Sequence, residues 1–585
     1  MQHPLKFNRR TLIIASLLFS IALIIRTVFL NFVPVALSPD EITYVLNAKS
    51  IYLTGKDISG TWNPLLLTPV PYEHPQSELI YPVLTPFIGP VPFSLASAHL
   101  PGAVFLSALA VIVFLFSRRF LGDVPAGIIG IVAAVNPWGI IFGRTAYDTE
   151  FSLVFYYLFI YLTVTAKRWW KLAAIIPLAL GFYTYMGFKI IFLPVVLATL
   201  VFARSMDRKK SLGEYVAIGL SAVLLLFLFL STVGLQSTKS RLSEISLYDP
   251  SAVVQTVNTL RRQSLSGPLT PFFINKVTVA FRDNLKKYLG AYSPDYLFID
   301  NEATPGHTFL NHGYLYYTDI VFLVIGFCWI FTYNRKLWLY IVSLLLFSPL
   351  PSMVSGISLS YAQRSSFMFP PVYICIGAGI YFLCTVSKRR WYTVCVGTLI
   401  GIVTGIQLAN FLYLYFAVYP VYSAEGMGFS SRVAAHYMKQ ASQAGRNVTF
   451  VSGNPKGMFK NFLFYNDEYV QATVPVVQKA VRENVYTWGT ISFITCDDVA
   501  VLNRNVTYVY IPGDHCPIFS TTKDAVSINQ LKDAGTVYAI INDAVCSPYE
   551  LHRYPAGLRL NDFSFTHLST GQFCTSFIFD QREAI

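Results

Sequence analysis

Two adjacent carboxylates, Asp40 and Glu41 in Ser38-Pro39-Asp40-Glu41-Ile42-Thr43-Tyr44, follow closely on a long apolar run. Carboxylates at the edge of an apolar segment are costly to desolvate, so they face water, a partner charge or a substrate cavity. A carboxylate held in a cavity can take the proton of an attacking hydroxyl as the new bond forms. Asp40 suits that role, with Glu41 orienting the loop or accepting a hydrogen bond from a substrate hydroxyl. The same four residues, Ser-Pro-Asp-Glu, also read as a helix start with acidic first-turn residues, which gives Asp40 a capping role.

Other charges lie at the ends of apolar runs. Arg144 and Asp148 in Gly143-Arg144-Thr145-Ala146-Tyr147-Asp148 are four apart and, on a helix, would share a face as an ion pair. Asp148 would otherwise position an acceptor. Lys189, after Tyr183-Thr184-Tyr185-Met186-Gly187-Phe188, and Arg364, in Tyr361-Ala362-Gln363-Arg364-Ser365-Ser366, are cations that could neutralise an anionic group. Lys189 could equally snorkel to lipid phosphates. Arg282, Lys286 and Lys287 precede Tyr292-Ser293-Pro294-Asp295 and suit either an anionic substrate or an anionic lipid surface. His307 and His74, both in loops, can titrate near neutrality, which alone selects no role.

The elements that must position these groups are membrane helices. The chain has 585 residues, 54% of them hydrophobic and only 13% charged, with a mean hydropathy of +0.49. A bilayer core of about 30 Å needs roughly 20 apolar residues per helix. The pattern predicts about 11 spans, near 11–32, 98–117, 122–142, 150–166, 172–186, 188–204, 213–233, 317–333, 337–352, 366–385 and 391–416. The first is expected to stay attached as an anchor, since no convincing cleavage site follows it. The net charge of +13 comes largely from Lys and Arg in short loops, as in Arg118-Arg119, Arg208-Lys209-Lys210 and Lys388-Arg389-Arg390. That is membrane topology rather than nucleic-acid binding. The clusters put the amino terminus in the cytoplasm and, after an odd number of crossings, the carboxyl terminus outside, in a multi-pass plasma (inner) membrane protein.

The expected organisation is a transmembrane domain over 1–420, with external loops at about 33–97 and 234–315, and an extracytoplasmic α/β domain over 421–585. Within the latter, Val448-Thr449-Phe450-Val451 and Val506-Thr507-Tyr508-Val509-Tyr510-Ile511 read as strands. Its four cysteines, Cys496, Cys516, Cys546 and Cys574, permit two disulfides in three pairings, with no Cys-x-x-Cys spacing to suggest zinc.

The order Asp40-Glu41-x-x-Tyr44 with Ala48 and Gly55, then His74-Pro75, Arg144-x-x-x-Asp148, Tyr292 through Phe298, Pro349 through Arg364 and Tyr415-Phe416-x-x-Tyr419-Pro420 resembles the GT-C superfamily of membrane glycosyltransferases. Within it, the likeness is to the branch of protein O-mannosyltransferases, lipid A aminoarabinose transferases and their prokaryotic relatives. The chain departs from the branch at His74-Pro75-Gln76-Ser77, where relatives commonly read His-Pro-Pro-Leu. The resemblance implies inverting transfer of a sugar from a polyprenyl-phosphate donor to a protein, glycolipid or polymer acceptor outside the membrane. The residues suit that chemistry: Asp40, Glu41 and Asp148 are the expected catalytic residues, Arg364, Lys189 and Arg144 the expected phosphate ligands, and Tyr44, His74, Lys286, Tyr292 and His307 candidate substrate contacts. No cofactor is called for and no metal site is read from the sequence, although a divalent cation bridging carboxylates to the donor phosphate stays open.

Two other functions fit parts of the pattern. A transporter or flippase of lipid-linked sugars would use many spans with embedded charges, but would place them at the midplane. A membrane-anchored surface-binding protein would need only one helix.

Overall fold

The computed structural model describes residues 9–70, 76–206, 212–235, 238–239, 250–301, 306, 312–354, 362–499, 501–519, 525–553 and 557–580. His74 and His307 lie outside them. Ten helices lead the chain: α1 Arg9–Thr27, α2 Pro39–Thr54, α3 Ile80–Ile88, α4 Leu95–Leu121, α5 Asp123–Val135, α6 Pro137–Phe142, α7 Asp148–Thr165, α8 Ile175–Thr184, α9 Phe192–Met206 and α10 Gly213–Thr232. Among the described residues, six helices are long and apolar enough to cross a membrane: α1, α4, α10, Arg335–Met353, Ser366–Thr385 and Arg390–Tyr422. Shorter apolar helices, α5, α9 and Asp319–Tyr333, pack with them. The chain is thus a multi-pass helical membrane protein carrying a carboxyl-terminal sheet domain.

That domain is built on seven strands: β1 Asn447–Val451, β2 Tyr486–Trp488, β3 Ile491–Ile494, β4 Val506–Tyr510, β5 Ala525–Asn529, β6 Thr536–Ile541 and β7 Phe579–Asp580, in the order β2-β3-β1-β4-β6-β5-β7. β1 pairs in parallel with β3 on one side and β4 on the other, and the remaining pairs are antiparallel. From β1 the chain runs through helices Pro455–Tyr465 and Val474–Glu483 to β2 and β3, then crosses to β4. The two strands expected from sequence are β1 and β4. Cys496 pairs with Cys516 and Cys546 with Cys574, which selects one of the three pairings.

The segment between α1 and α4 belongs with this domain. Its α2 and α3 share a hydrophobic core with the sheet helices, in which Val45, Leu46, Tyr81, Val433, Phe459 and Phe462 are all buried. Polar ties reinforce it. Leu37 N donates to the Tyr465 hydroxyl at 2.9 Å, Arg432 to the Val35 and Phe563 carbonyls, and the Tyr469 hydroxyl to Ser50 at 2.9 Å. Lys49, mostly buried, is satisfied by the carbonyls of Gly89 and Val91 beyond α3. The helix that carries the acidic pair is therefore clamped between membrane bundle and sheet domain.

Candidate functional site

Local sequence dictates α2. Ser38 has extended backbone and caps the helix, Pro39 occupies the first turn, and Gly55 closes it at φ +73°. Ser38 Oγ accepts from Glu41 N at 3.4 Å while Glu41 Oε2 accepts from Ser38 N at 2.9 Å, a reciprocal capping box. The pair then divides. Glu41 points inward and is fully buried, whereas Asp40 stays exposed.

Glu41 is engaged on every side. Its Oε1 accepts from Ala146 N at 2.8 Å and lies 3.5 Å from His99 Nε2, itself fully buried in α4. Burial pushes the Glu41 carboxyl up, and the His99 ring together with the Ala146 and Ser38 N–H groups outweighs this, so the acid is held below its ordinary value. Ala146 can reach Glu41 because its turn presses on α4 at Gly102, where a Cβ would stand 2.0 Å from the Thr145 carbonyl oxygen. Glu150, fully buried in the first turn of α7, is within electrostatic reach of Asp148 and Glu41.

The remaining sequence candidates are distributed as follows. Arg144 and Asp148 do not share a helix face, because α7 begins at Asp148. Arg144 is buried and donates to the carbonyls of Arg26 at 2.9 Å, Val28 at 2.8 Å and Val33 at 2.6 Å, with its guanidinium over the rings of Tyr415 and Phe416. It ties down the α1–α2 connector that leads to Ser38. Asp148 accepts from Ser77 Oγ at 2.8 Å. Lys189 pairs with Glu78 at 2.6 Å, both buried, and faces Phe229. The Gln76-Ser77-Glu78 stretch, where the chain departs from the sequence pattern of its resemblance, thus anchors on two predicted site residues. Tyr44 is buried 6.1 Å from the Tyr81 ring, and Tyr292 donates to the Leu345 carbonyl. Lys286 is exposed on the amphipathic helix Lys276–Gly290. Burial lowers the Lys287 ammonium on the same helix, Asp283 raises it, and Arg364 adds a smaller lowering.

Asp40 lines a cavity of about 310 Å³ between α2 and the sheet domain, with Thr43, Gln76, Ser452, Asn454, Lys456 and Lys460 among its walls. Lys460 Nζ donates to Thr43 Oγ1 at 3.2 Å, bridging the two sides. Sequence reasoning passed over His99, Glu78 and both of these lysines, and noted Ser77 only as a departure from the pattern. His99 and Glu78 had a signal, being polar beside apolar runs. The lysines had none, since their meeting with α2 spans more than 400 residues. Among the described residues, no three His, Cys, Asp or Glu side chains are grouped as a metal-ion set.

No protein-family model matches the sequence, and no curated protein matches it. Similar solved structures include ArnT from Cupriavidus metallidurans bound to undecaprenyl phosphate, at 13% identity and a TM-score of 0.48, covering 90% of this chain and 98% of that chain. The archaeal oligosaccharyltransferase AglB from Archaeoglobus fulgidus, in complex with an inhibitory peptide and a dolichol-phosphate, is similar at 11% identity and a TM-score of 0.47, covering 92% of this chain and 74% of that chain. At such values the likenesses assign no residue role and no activity to this chain.

Proposed function

We propose that this protein is a GT-C-type glycosyltransferase that moves a sugar from a polyprenyl-phosphate donor to an acceptor hydroxyl or other nucleophile on the extracytoplasmic face, with inversion at the anomeric carbon. The observation that carries the reading is the division of the acidic pair: Glu41 is buried and locked by the backbone, while Asp40 is exposed in a cavity wall. Asp40 takes the acceptor proton as the acceptor oxygen bonds to the anomeric carbon. The bond from that carbon to the phosphate oxygen breaks with its electron pair on the lipid phosphate. Arg364, the cation at the start of the helix Ser366–Thr385, neutralises that leaving charge. Arg144, Glu41 and His99 act as positioning residues that fix the entry to α2, and Asp148 and Lys189 hold the Gln76–Glu78 stretch against the bundle. The disulfide-bonded sheet domain suits an oxidising compartment outside the cytoplasm.

The test is covalent. Purified protein in detergent, given a radiolabelled polyprenyl-phosphate sugar and membrane-derived acceptors, is expected to make a labelled product that separates from the donor by chromatography or electrophoresis. A transporter has no compartments to work between in detergent and would leave the label on the lipid, which would overturn the enzymatic reading.

A further inference from the structure

The sheet domain places a second set of functional groups opposite Asp40. β1 has parallel neighbours on both sides, and the chain visits β3 before crossing to β4, so a topological switch point lies at the carboxyl ends of β1 and β4. In open α/β sheets this crevice is where ligands bind. Here it opens onto the cavity that Asp40 lines. Ser452 and Asn454 follow β1, Ile511 follows β4, and Lys456 and Lys460 project from the first turns of the helix Pro455–Tyr465. Asn454 caps that helix by accepting from Gly457 N at 2.9 Å, and Asp514 occupies Gly453 N at 2.7 Å.

We propose that this crevice is the acceptor pocket, and that Lys456 and Lys460 select an anionic sugar or polyol, one bearing a phosphate or a carboxylate beside the hydroxyl to be glycosylated. The proposal rests on the reading of Asp40 as the base. The charged side chains lining the cavity are Asp40 on the α2 side and the two lysines on the sheet side, with the Asp514 carboxylate set behind that lining on Gly453 N, so the lining itself is polarised. An anionic group settles on the lysine side, because next to Asp40 it would be repelled, and that orientation turns its neighbouring hydroxyl toward the carboxylate. Thr43, Asn454 and Asn461 offer hydroxyl and amide partners, and Phe450 and Tyr538 offer apolar faces, a mixture that suits a sugar ring. About 310 Å³ is enough for a small ligand.

Binding can be tested without turnover. Glucose 6-phosphate, glucuronate and glucose are titrated calorimetrically into the detergent-solubilised full chain, at constant ionic strength. Both anions are expected to bind at least tenfold more tightly than glucose. Lys456→Gln/Lys460→Gln should remove that preference, and Lys456→Arg/Lys460→Arg should retain it, which separates lost charge from lost fold. Asp40→Asn should strengthen anion binding by removing repulsion. Preference for glucose 6-phosphate alone would narrow the class to phosphates, and preference for glucuronate alone to carboxylates. Equal binding of all three, or an unchanged preference in the double Gln variant, would overturn the proposal. So would a short acidic peptide that outcompetes both sugars. If the preference depends on the lysines while Asp40→Asn leaves sugar transfer intact, the pocket stands and the assignment of the base falls.

Discussion

Replacing Glu41 by Gln keeps the side-chain shape and removes one charge from the site that sets the start of α2. The carboxylate accepts two backbone N–H groups, from Ser38 at 2.9 Å and Ala146 at 2.8 Å, with His99 at 3.5 Å. Hydrogen bonds to a charged group are each worth about 1.5–3 kcal/mol. Gln retains one acceptor oxygen and brings an NH₂ that must face one of the two backbone donors, stranding it at about 1–3 kcal/mol. The sum is a loss of roughly 2.5–6 kcal/mol, a large part of a typical folding margin. Differential scanning fluorimetry of purified protein should therefore show a clearly lowered midpoint for Glu41→Gln. Because α2 starts at this box, Asp40 should be mispositioned and sugar transfer should fall as well. His99→Ala, which removes the longer contact and leaves a gap at a fully buried position, should also lower the midpoint, and the double variant should lose less than the sum, since the two residues are in contact. An unchanged midpoint with abolished transfer would refute this reasoning and make Glu41 a chemical rather than a positioning group.

The other predictions concern separate parts of the fold. Glu78→Gln removes the carboxylate charge 2.6 Å from the buried Lys189 ammonium and should cost about 3–5 kcal/mol, seen as a lowered melting midpoint, whereas Glu78→Leu/Lys189→Met should recover most of it. His436, half-buried in the sheet domain near Arg432 and Lys439, is held down to about 4, chiefly by desolvation. The unfolded chain takes up a proton at about 6.5 and the folded chain does not until about 4, so stability should fall as pH drops between these values, by up to ~3 kcal/mol. His436→Gln should flatten that dependence in acid-induced unfolding followed by tryptophan fluorescence. Reducing Cys546–Cys574, which closes a loop of 28 residues, should destabilise the sheet domain by about 3–4 kcal/mol, read as earlier proteolysis on titration with dithiothreitol.

Much of the framework was legible because it is periodic or local. The apolar runs, the Ser38–Glu41 capping box and strands β1 and β4 each depend on residues within a few positions of one another. The site was only half legible for the same reason. Asp40 and Glu41 stood out as neighbouring charges, yet which one is buried depends on Ala146 and His99, 105 and 58 residues away by their numbers. Arg144 and Asp148 have helix spacing, but the turn before α7 sends them to different partners, the carbonyls of the α1–α2 connector and the Ser77 hydroxyl. The lysines of the sheet domain meet α2 only because the two share one core, and single-sequence patterning carries no such information.

The central claim is that Asp40 accepts the acceptor proton. Its most direct test is the rate of sugar transfer from a defined polyprenyl-phosphate donor by Asp40→Asn, with donor affinity measured in parallel. The account predicts a fall of about 10²–10⁴-fold in the rate, the range of a lost general base, with donor affinity and melting midpoint unchanged. A rate within threefold of the parent would contradict it.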